Sequence, residues 1–353
     1  MMGVCDKIRV TEEMGITLSL RNVGGKEVIV DKVRLGFIGV GGIAGAHLNI
    51  LAKMEDVEIK ALCDINPQTL QRRGREFGVE SLYEDFKEML DKEELDAVYI
   101  CVPPFAHADI EEKAAERGLH MFIEKPVELH MENAIRKEEA IRKAGVICSV
   151  GYCARYLDIS DRVKELLRDK IVELVLGYFM GGAPGRWWIQ KDKSGGQLVE
   201  QTTHMVDIAR FFLGEVQAVN GAFVALTRPS PNYTIDNASI VTLYFKSGAI
   251  GSITSACMLS QGYKTGLDMF ARDYILEFTY GNLRIRTPQG TEEIKAGVNM
   301  YHEEDRAFID AVKSGDRTLI RSPYADAVKT LEITLAAEVS AREKRIVEMK
   351  FQA

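Results

Sequence analysis

Residues 33–40, VRLGFIGV, form an almost unbroken apolar run, and GAHLNILAKM just after it repeats apolar residues at helical spacing. The same couplet then recurs. VEIKALCD reads as a second strand, followed by a helix over 67–77 that Asn66-Pro67 opens. DFKEMLDKEE is helical, LDAVYICVPP is a buried strand, and HADIEEKAAERG is a helix stopped by Gly118. HMFIEKP is another strand, and NAIRKEEAIRKAG with VICSVGY supplies one more helix and strand. Apolar strands joined by helices of this length predict a doubly wound parallel sheet over 33–153. Upstream, within 1–32, ITLSL and EVIVD flank RNVGGK and predict a β-hairpin. An isolated hairpin is marginal in water, so this one is expected on a neighbouring sheet or a partner subunit.

From about residue 154 the texture changes. A helix near 158–168 leads to the strand IVELVLGYFM, a loop, and a helix over 196–213. VQAVNGAFVAL, DNASIVTLYF, AIGSITSACML and YILEFTYGNLRI follow with turn signals between them. Helices over 301–314 and 323–343 close the chain and are free to pack back on the first domain. The fold class is therefore α/β. It comprises an N-terminal Rossmann sheet and a C-terminal α+β domain, 154–353, with a large, mostly antiparallel open sheet. Outward positions in SIVTLYF and GSITSA carry Ser, Thr or Ala instead of Lys and Glu. A sheet face neither charged nor covered predicts a subunit contact, and hence a homodimer or homotetramer.

Length and composition agree with two domains. A chain of 353 residues exceeds one ordinary core, and 46% hydrophobic with 27% charged residues is a globular mix. The net charge of −7 leaves no basic footprint for nucleic acid. No apolar run approaches the roughly 20 residues that cross a bilayer, and the start, MMGVCDKIRVTEEMG, has no leader-like apolar stretch. The expectation is a cytoplasmic protein. Cys63 and Cys101 sit in or beside strand-like runs as small buried hydrophobes. Cys148 and Cys153 are a close pair without a second ligand pair, so no metal or disulfide framework is expected.

Gly39, Gly41 and Ala44 form a GxGxxA loop that ends a strand and opens a helix, with Gly42 and Ile43 inside it. Asp64 ends the next strand, about 20 residues on, where an acid bonds the adenine ribose hydroxyls. With the unit complete, the loop reads as a dinucleotide cradle. An acid at Asp64 repels the phosphate of NADP, so NAD is expected over NADP. Arg72 and Arg73 lie along the following helix and read as solvated.

These residues carry a family resemblance. GFIGVGGIAGAHL, CDINP, YICVPPFAHADI, FIEKP, VGYCARY and SGGQLVEQTTHMVDIARFFLG, in that order, are similar to the glucose–fructose oxidoreductase, inositol dehydrogenase and rhizopine-catabolism family. The resemblance covers about 33–345 and implies an NAD(P)-dependent oxidoreductase of a sugar, sugar derivative or cyclic polyol. It implies that Lys125 binds near the nicotinamide and the reacting hydroxyl, and that His204 faces the substrate as acid or base. Pro103, His107 and Glu124 would line the nicotinamide side, and the stretch from Tyr152 to Arg155 would begin the substrate domain, with Arg155 at the substrate. Two positions depart from the family pattern. Glu200 stands where an Asp is usual, and Thr202 where a Gly is common.

The chemistry can also be read from residue types. Oxidising an alcohol needs a base for its proton, and histidine titrates in the right range. Lysine serves if burial or a neighbouring cation lowers its pKa. On a helix Glu200, His204 and Asp207 share a face, so either acid is placed to orient the imidazole. Trp187 and Trp188 lie in the loop before that helix and read equally as aromatics that pin the loop into a crevice or as a wall for a sugar face, with Arg186, Lys191 or Lys193 meeting a carboxylate or phosphate. His47 reads as structural, and His120, His130 and His302 as surface or structural residues. Two other functions fit the same fold: an NAD-dependent glycoside hydrolase that regenerates its cofactor, and a nucleotide-sensing regulator. Lys125 and His204 argue against the regulator, and net NADH production separates the two enzymes.

Overall fold

The computed structural model describes residues 18–23 and 26–350. The Gly24-Gly25 turn and the residues read for a leader lie outside the described residues. Strands β1 (Leu18–Val23) and β2 (Lys26–Asp31) pair antiparallel, with Leu18 opposite Asp31 and Val23 opposite Lys26. Among the described residues this hairpin is a separate two-stranded sheet and joins neither larger one.

Six strands follow: β3 (Val33–Ile38), β4 (Val57–Cys63), β5 (Ser81–Tyr83), β6 (Ala97–Ile100), β7 (His120–Ile123) and β8 (Cys148–Val150). All are parallel, in the order β5-β4-β3-β6-β7-β8. The chain moves outward from β3 to β5 and then restarts at β6 on the other side of β3. The crevice at that reversal, outside the strand C-termini, is where such sheets bind ligands. Connecting helices are α1 (Gly42–Leu51), α2 (Pro67–Phe77), α3 (Phe86–Lys92), α4 (Ile110–Glu116) and α5 (Met131–Ala144). Local chemistry sets their ends. Asn66 accepts from the Thr69 N–H with Pro67 behind it, and Gly78 and Gly145 stop α2 and α5 in left-handed conformations.

The second sheet has nine strands. They are β9 (Val172–Met180), β10 (Val216–Val224), β11 (Ala238–Phe245), β12 (Ile250–Ala256), β13 (Thr265–Ala271), β14 (Tyr274–Phe278), β15 (Asn282–Thr287), β16 (Gly290–Lys295) and β17 (Val347–Glu348). Their order is β16-β15-β14-β13-β9-β12-β11-β10-β17, antiparallel except for the β9–β12 pair. The expected helix over 196–213 is resolved into two pieces: a π-helical turn at Leu198–Thr202, then α8 (Thr203–Leu213). Before it come α6 (Asp158–Leu167) and the short α7 (Lys191–Ser194). After the sheet come α9 (Met300–Ser314) and α10 (Tyr324–Glu343). Their side chains enter the first domain: Phe308 and Ile309 pack with Leu35, Phe37 and Leu48, and Ala327 and Leu331 with Ile123 and Val150.

Beneath the β7 end lies a buried charge cluster. Lys137 Nζ stands 3.0 Å from Glu111 and 2.9 Å from Glu128, and His107 Nδ1 bonds the other Glu111 oxygen. Burial works against each charge, yet His107 and Lys137 hold the Glu111 carboxyl below its usual range, and the two glutamates hold Lys137 above its own. Removing one partner from such a cluster costs about 3–5 kcal/mol, because the remaining charges stay buried and unpaired. Lys137→Met is therefore expected to lower the urea midpoint strongly. Adding Glu111→Gln and Glu128→Gln should restore a large part of it. An unchanged midpoint in Lys137→Met would show that the cluster is not held as described.

Candidate active site

The glycine loop and the strand ends enclose a cavity of about 1340 Å³. A single small-ligand site usually offers roughly 300–1,000 Å³, so this volume has room for a cofactor and a substrate together. Gly39 turns the chain at φ +83, and a Cβ there would lie 2.8 Å from the Cys101 carbonyl oxygen. Only glycine permits both the turn and the contact. Gly41 and Gly42 line the cavity at the start of α1, and a Cβ on either would meet nothing within 4 Å. That open cradle at a helix N-terminus fits a pyrophosphate. Ile43 lines the cavity too, whereas Ala44 is fully buried against the sheet, the packing position of the fingerprint.

Asp64 borders the same space. Its carboxylate accepts the Val40 N–H at 2.9 Å and the Asn66 N–H at 2.8 Å, which ties the β4 end to the loop. Arg73 departs from the solvated position expected of it. It donates to the Val40 and Gly41 carbonyls at 3.3 and 3.1 Å and pairs with Glu76, so it braces the loop from outside the cavity.

At the other end, beyond β6 and β7, Pro103, Glu124, Lys125, Trp187, Trp188, Glu200 and His204 meet around one space. Lys125 Nζ donates to the Glu200 backbone oxygen at 2.8 Å and to its carboxylate at 3.0 Å. The second Glu200 carboxylate oxygen accepts the Trp188 indole N–H. Glu200 lies within the π-helical turn, a distortion frequent at functional sites. Burial alone would depress the Lys125 ammonium, but Glu200 and Glu124 outweigh it and hold Lys125 above its ordinary value. A lysine base would need a lowered pKa, and here the two glutamates move Lys125 the other way. His204 moves the other way: burial, then the charge of Lys125, holds its pKa well below 6.5. Its Nδ1 is buried and makes no hydrogen bond among the described residues.

Several expected roles fall to other residues. Neither Glu200 nor Asp207 orients His204. Glu200 is taken by Lys125 and Trp188, and Asp207 by Arg155, through Nε at 2.7 Å and Nη2 at 2.5 Å. Arg155, expected at the substrate, is buried outside the cavity and also pairs with Asp326 of α10, so it fastens α8 from behind. His107 lies below the cavity in the Lys137 cluster because Glu111 draws it inward. His47, read as structural, backs the site: its Nε2 is 3.0 Å from Glu124 and its Nδ1 2.7 Å from Asp305. Burial opposes protonation of that imidazole, but Asp305 and Glu124 raise its pKa well above 6.5.

Sequence reasoning missed Tyr280, whose buried hydroxyl makes no hydrogen bond among the described residues and whose ring lies 6.3 Å from His204, edge-on. It also missed Glu84, Asp85 and Phe86, which line the β5 side. A Tyr-Gly-Asn turn and a helix start carry no sequence signal for a ligand.

A family model described as an oxidoreductase family with an NAD-binding Rossmann fold matches residues 33–152, and the GFO/IDH/MocA C-terminal domain matches 170–280. The chain belongs to the GFO/IDH/MocA family. It is 28% identical over 335 residues to myo-inositol 2-dehydrogenase of Thermotoga maritima, covering 90% of this chain and 99% of that one. It is 27% identical over 339 residues to scyllo-inositol 2-dehydrogenase (NAD(+)) of Bacillus subtilis, covering 90% and 96%. In fold it is similar to levoglucosan dehydrogenase solved with NADH and levoglucosan, with a TM-score of 0.82, 20% identity, and 90% and 99% of the two chains covered. The chain is an oxidoreductase with a nicotinamide-binding Rossmann domain. Among the described residues no helix is long and apolar enough to cross a membrane.

Proposed function

We propose that this chain is an NAD-dependent dehydrogenase that transfers hydride between the nicotinamide and a secondary hydroxyl or carbonyl of a sugar, sugar derivative or cyclic polyol. The observation carrying this reading is the pairing of a cationic Lys125 with a neutral His204 at the end of the cavity away from Asp64. The relatives' names, inositol dehydrogenases among them, support the substrate class.

The bound nicotinamide supplies the hydride acceptor. The chain supplies the rest. Lys125, kept charged by Glu200, donates a hydrogen bond to the substrate oxygen and stabilises negative charge as the proton leaves. His204 is neutral and accepts that proton. Glu200 holds the ammonium in place, and the two tryptophans narrow the space over the sugar. Glu124, backed by the His47 imidazolium, fixes the strand end that carries Lys125.

With a sugar or inositol that the enzyme oxidises, Lys125→Ala and His204→Ala should each lower turnover by about 10²-fold or more, the scale of general acid–base groups. The NAD dissociation constant should stay within roughly twofold, a change worth well under 1.4 kcal/mol. The His204 pKa is lowered, so its neutral form persists as pH falls, and the acid limb of the rate profile should lie below 6.5. Near wild-type turnover in both alanine variants, or an acid limb above 6.5, would sink the assignment. NADH should accumulate one for one with oxidised substrate, unlike a hydrolase that regenerates its cofactor.

NAD is the preferred nucleotide in this reading. The Asp64 carboxylate is fixed by two N–H groups and repels a phosphate on the adenine ribose, while Arg73 is committed to the loop carbonyls. Calorimetry should find NAD(H) at least about tenfold tighter than NADP(H), a difference of about 1.4 kcal/mol. Asp64→Asn, which keeps an oxygen for Val40, should narrow the gap. Equal affinities in the wild type would refute the preference.

The open sheet supports a homodimer or homotetramer. Register places Leu174, Leu176, Tyr178, Ile240, Tyr244 and Ile250 on one face, with Ile240 55% and Ile250 48% exposed. Burying that face against a second copy removes an apolar patch from water. Light scattering at micromolar concentration should report a mass of two or four chains, and a monomer mass would overturn this.

A further inference from the structure

The loop 181–190, between β9 and α7, forms one wall of the cavity, and its pieces are pinned on both sides. The Trp187 ring lies 6.1 Å from Phe105, on the turn after β6, and the Trp188 indole donates to Glu200. Arg186, immediately before them, lines the same cavity. Its φ is +56, directly after Gly185 at +84. A left-handed conformation is unfavourable for arginine, so the pinned neighbours hold it there.

The charge inventory then singles Arg186 out. Among the described residues, Lys125 and Arg186 are the Lys and Arg residues that line the cavity. Lys125 is neutralised by Glu200 at 3.0 Å. Of the other cations near the loop, Lys191 lies between Asp236 at 2.8 Å and Glu338 at 3.1 Å, and Lys193 sits over the Phe105 ring. The Arg186 guanidinium has no carboxylate within ion-pair distance and no side-chain hydrogen bond among the described residues. The acids Asp64, Glu84 and Asp85 line the β4–β5 end, whereas the loop carrying Arg186 is pinned to Phe105 and Glu200 at the β6–β7 end. Arg186 is exposed where it lines the cavity, and an unpaired planar fork there is suited to bidentate binding of an oxyanion.

We propose that Arg186 binds a carboxylate or phosphate carried by the substrate, which makes the substrate class anionic sugars instead of neutral polyols. This rests on the dehydrogenase reading given above. The substrate then lies with its reacting hydroxyl at Lys125 and His204 and its oxyanion toward the loop. A charged hydrogen-bonded pair of this kind is worth roughly 10- to 100-fold in affinity.

The test uses the enzyme saturated with NADH, whose fluorescence reports binding without turnover. D-glucuronate and D-gluconate are titrated beside D-glucose and myo-inositol. At least one anionic probe should bind about tenfold or more tighter than the neutral ones. Arg186→Asn, which tolerates the left-handed backbone, should erase that advantage and leave NADH affinity unchanged, while Arg186→Lys keeps part of it. Neutral probes binding as tightly as the anions would overturn the proposal, as would no anion binding at millimolar concentration. Weakened NADH binding in Arg186→Asn would also overturn it, since the guanidinium would then serve the cofactor phosphates. In a separate assay with NAD and the same probes, NADH formation from a neutral sugar without anion preference leaves the dehydrogenase reading standing and removes the anion site. Anion preference lost in Arg186→Asn, with no NADH formed from any probe, does the reverse.

Discussion

The Lys125 ammonium leaves the end of β7 and is shared by the backbone and carboxylate oxygens of Glu200, at the start of the second domain's active helix. A cation at this depth needs an anion beside it, or it loses its proton. Glu200 meets that requirement and passes the constraint on, because its other oxygen fixes Trp188. Trp188 anchors the loop, and Trp187 closes the path against Phe105, back beside β6. The same ammonium also acts on His204, adding its charge to burial and keeping the imidazole neutral. One ion pair therefore keeps Lys125 charged, adds to the burial that keeps His204 neutral, and fixes the wall above them.

Rigid supports lie behind each of these groups. Arg155 and Arg210 bind Asp326 from the α8 side, and Asp207 locks Arg155 one turn beyond His204. On the sheet side, His47 bridges Glu124 and Asp305, and Tyr99 adds a 3.1 Å bond to Asp305. Such networks are costly to bury and hold geometry well once every partner is present. The reacting groups are thus carried by elements that have little freedom to shift.

Five strands of the parallel sheet, β3, β4, β6, β7 and β8, were legible because they are rich in apolar residues and every connection is helical, so periodicity and glycine punctuation agree. The glycine loop with Asp64, Lys125, and the string holding Glu200 and His204 were legible for the same reason, since each is local in sequence. Strands β5, β13, β16 and β17 were not: β5 is three half-buried residues and β17 only two. TGLDMFA has no clean alternation, and GTEEIK is an exposed edge strand with no apolar face to announce it. Arg155 was misplaced because its partner Asp207 lies 52 residues away, and His107 because the Glu111 it bonds is itself held in the interior by Lys137 on another helix. Tyr280 reaches His204 only once β14 and β15 close their turn.

The first domain borrows part of its interior from the end of the chain. Phe308, Ile309 and Ala311 fill the space beside Leu35 and Phe37, and Asp305 is the partner that keeps His47 charged in the core. During synthesis β3–β8 leave the ribosome long before α9 does. At 5–20 residues per second the gap is on the order of ten seconds. Through that interval the nucleotide domain carries an open apolar groove and an imidazole without its Asp305 partner. Its maturation waits for α9, and a chain stopped before α9 leaves both halves of the enzyme incomplete.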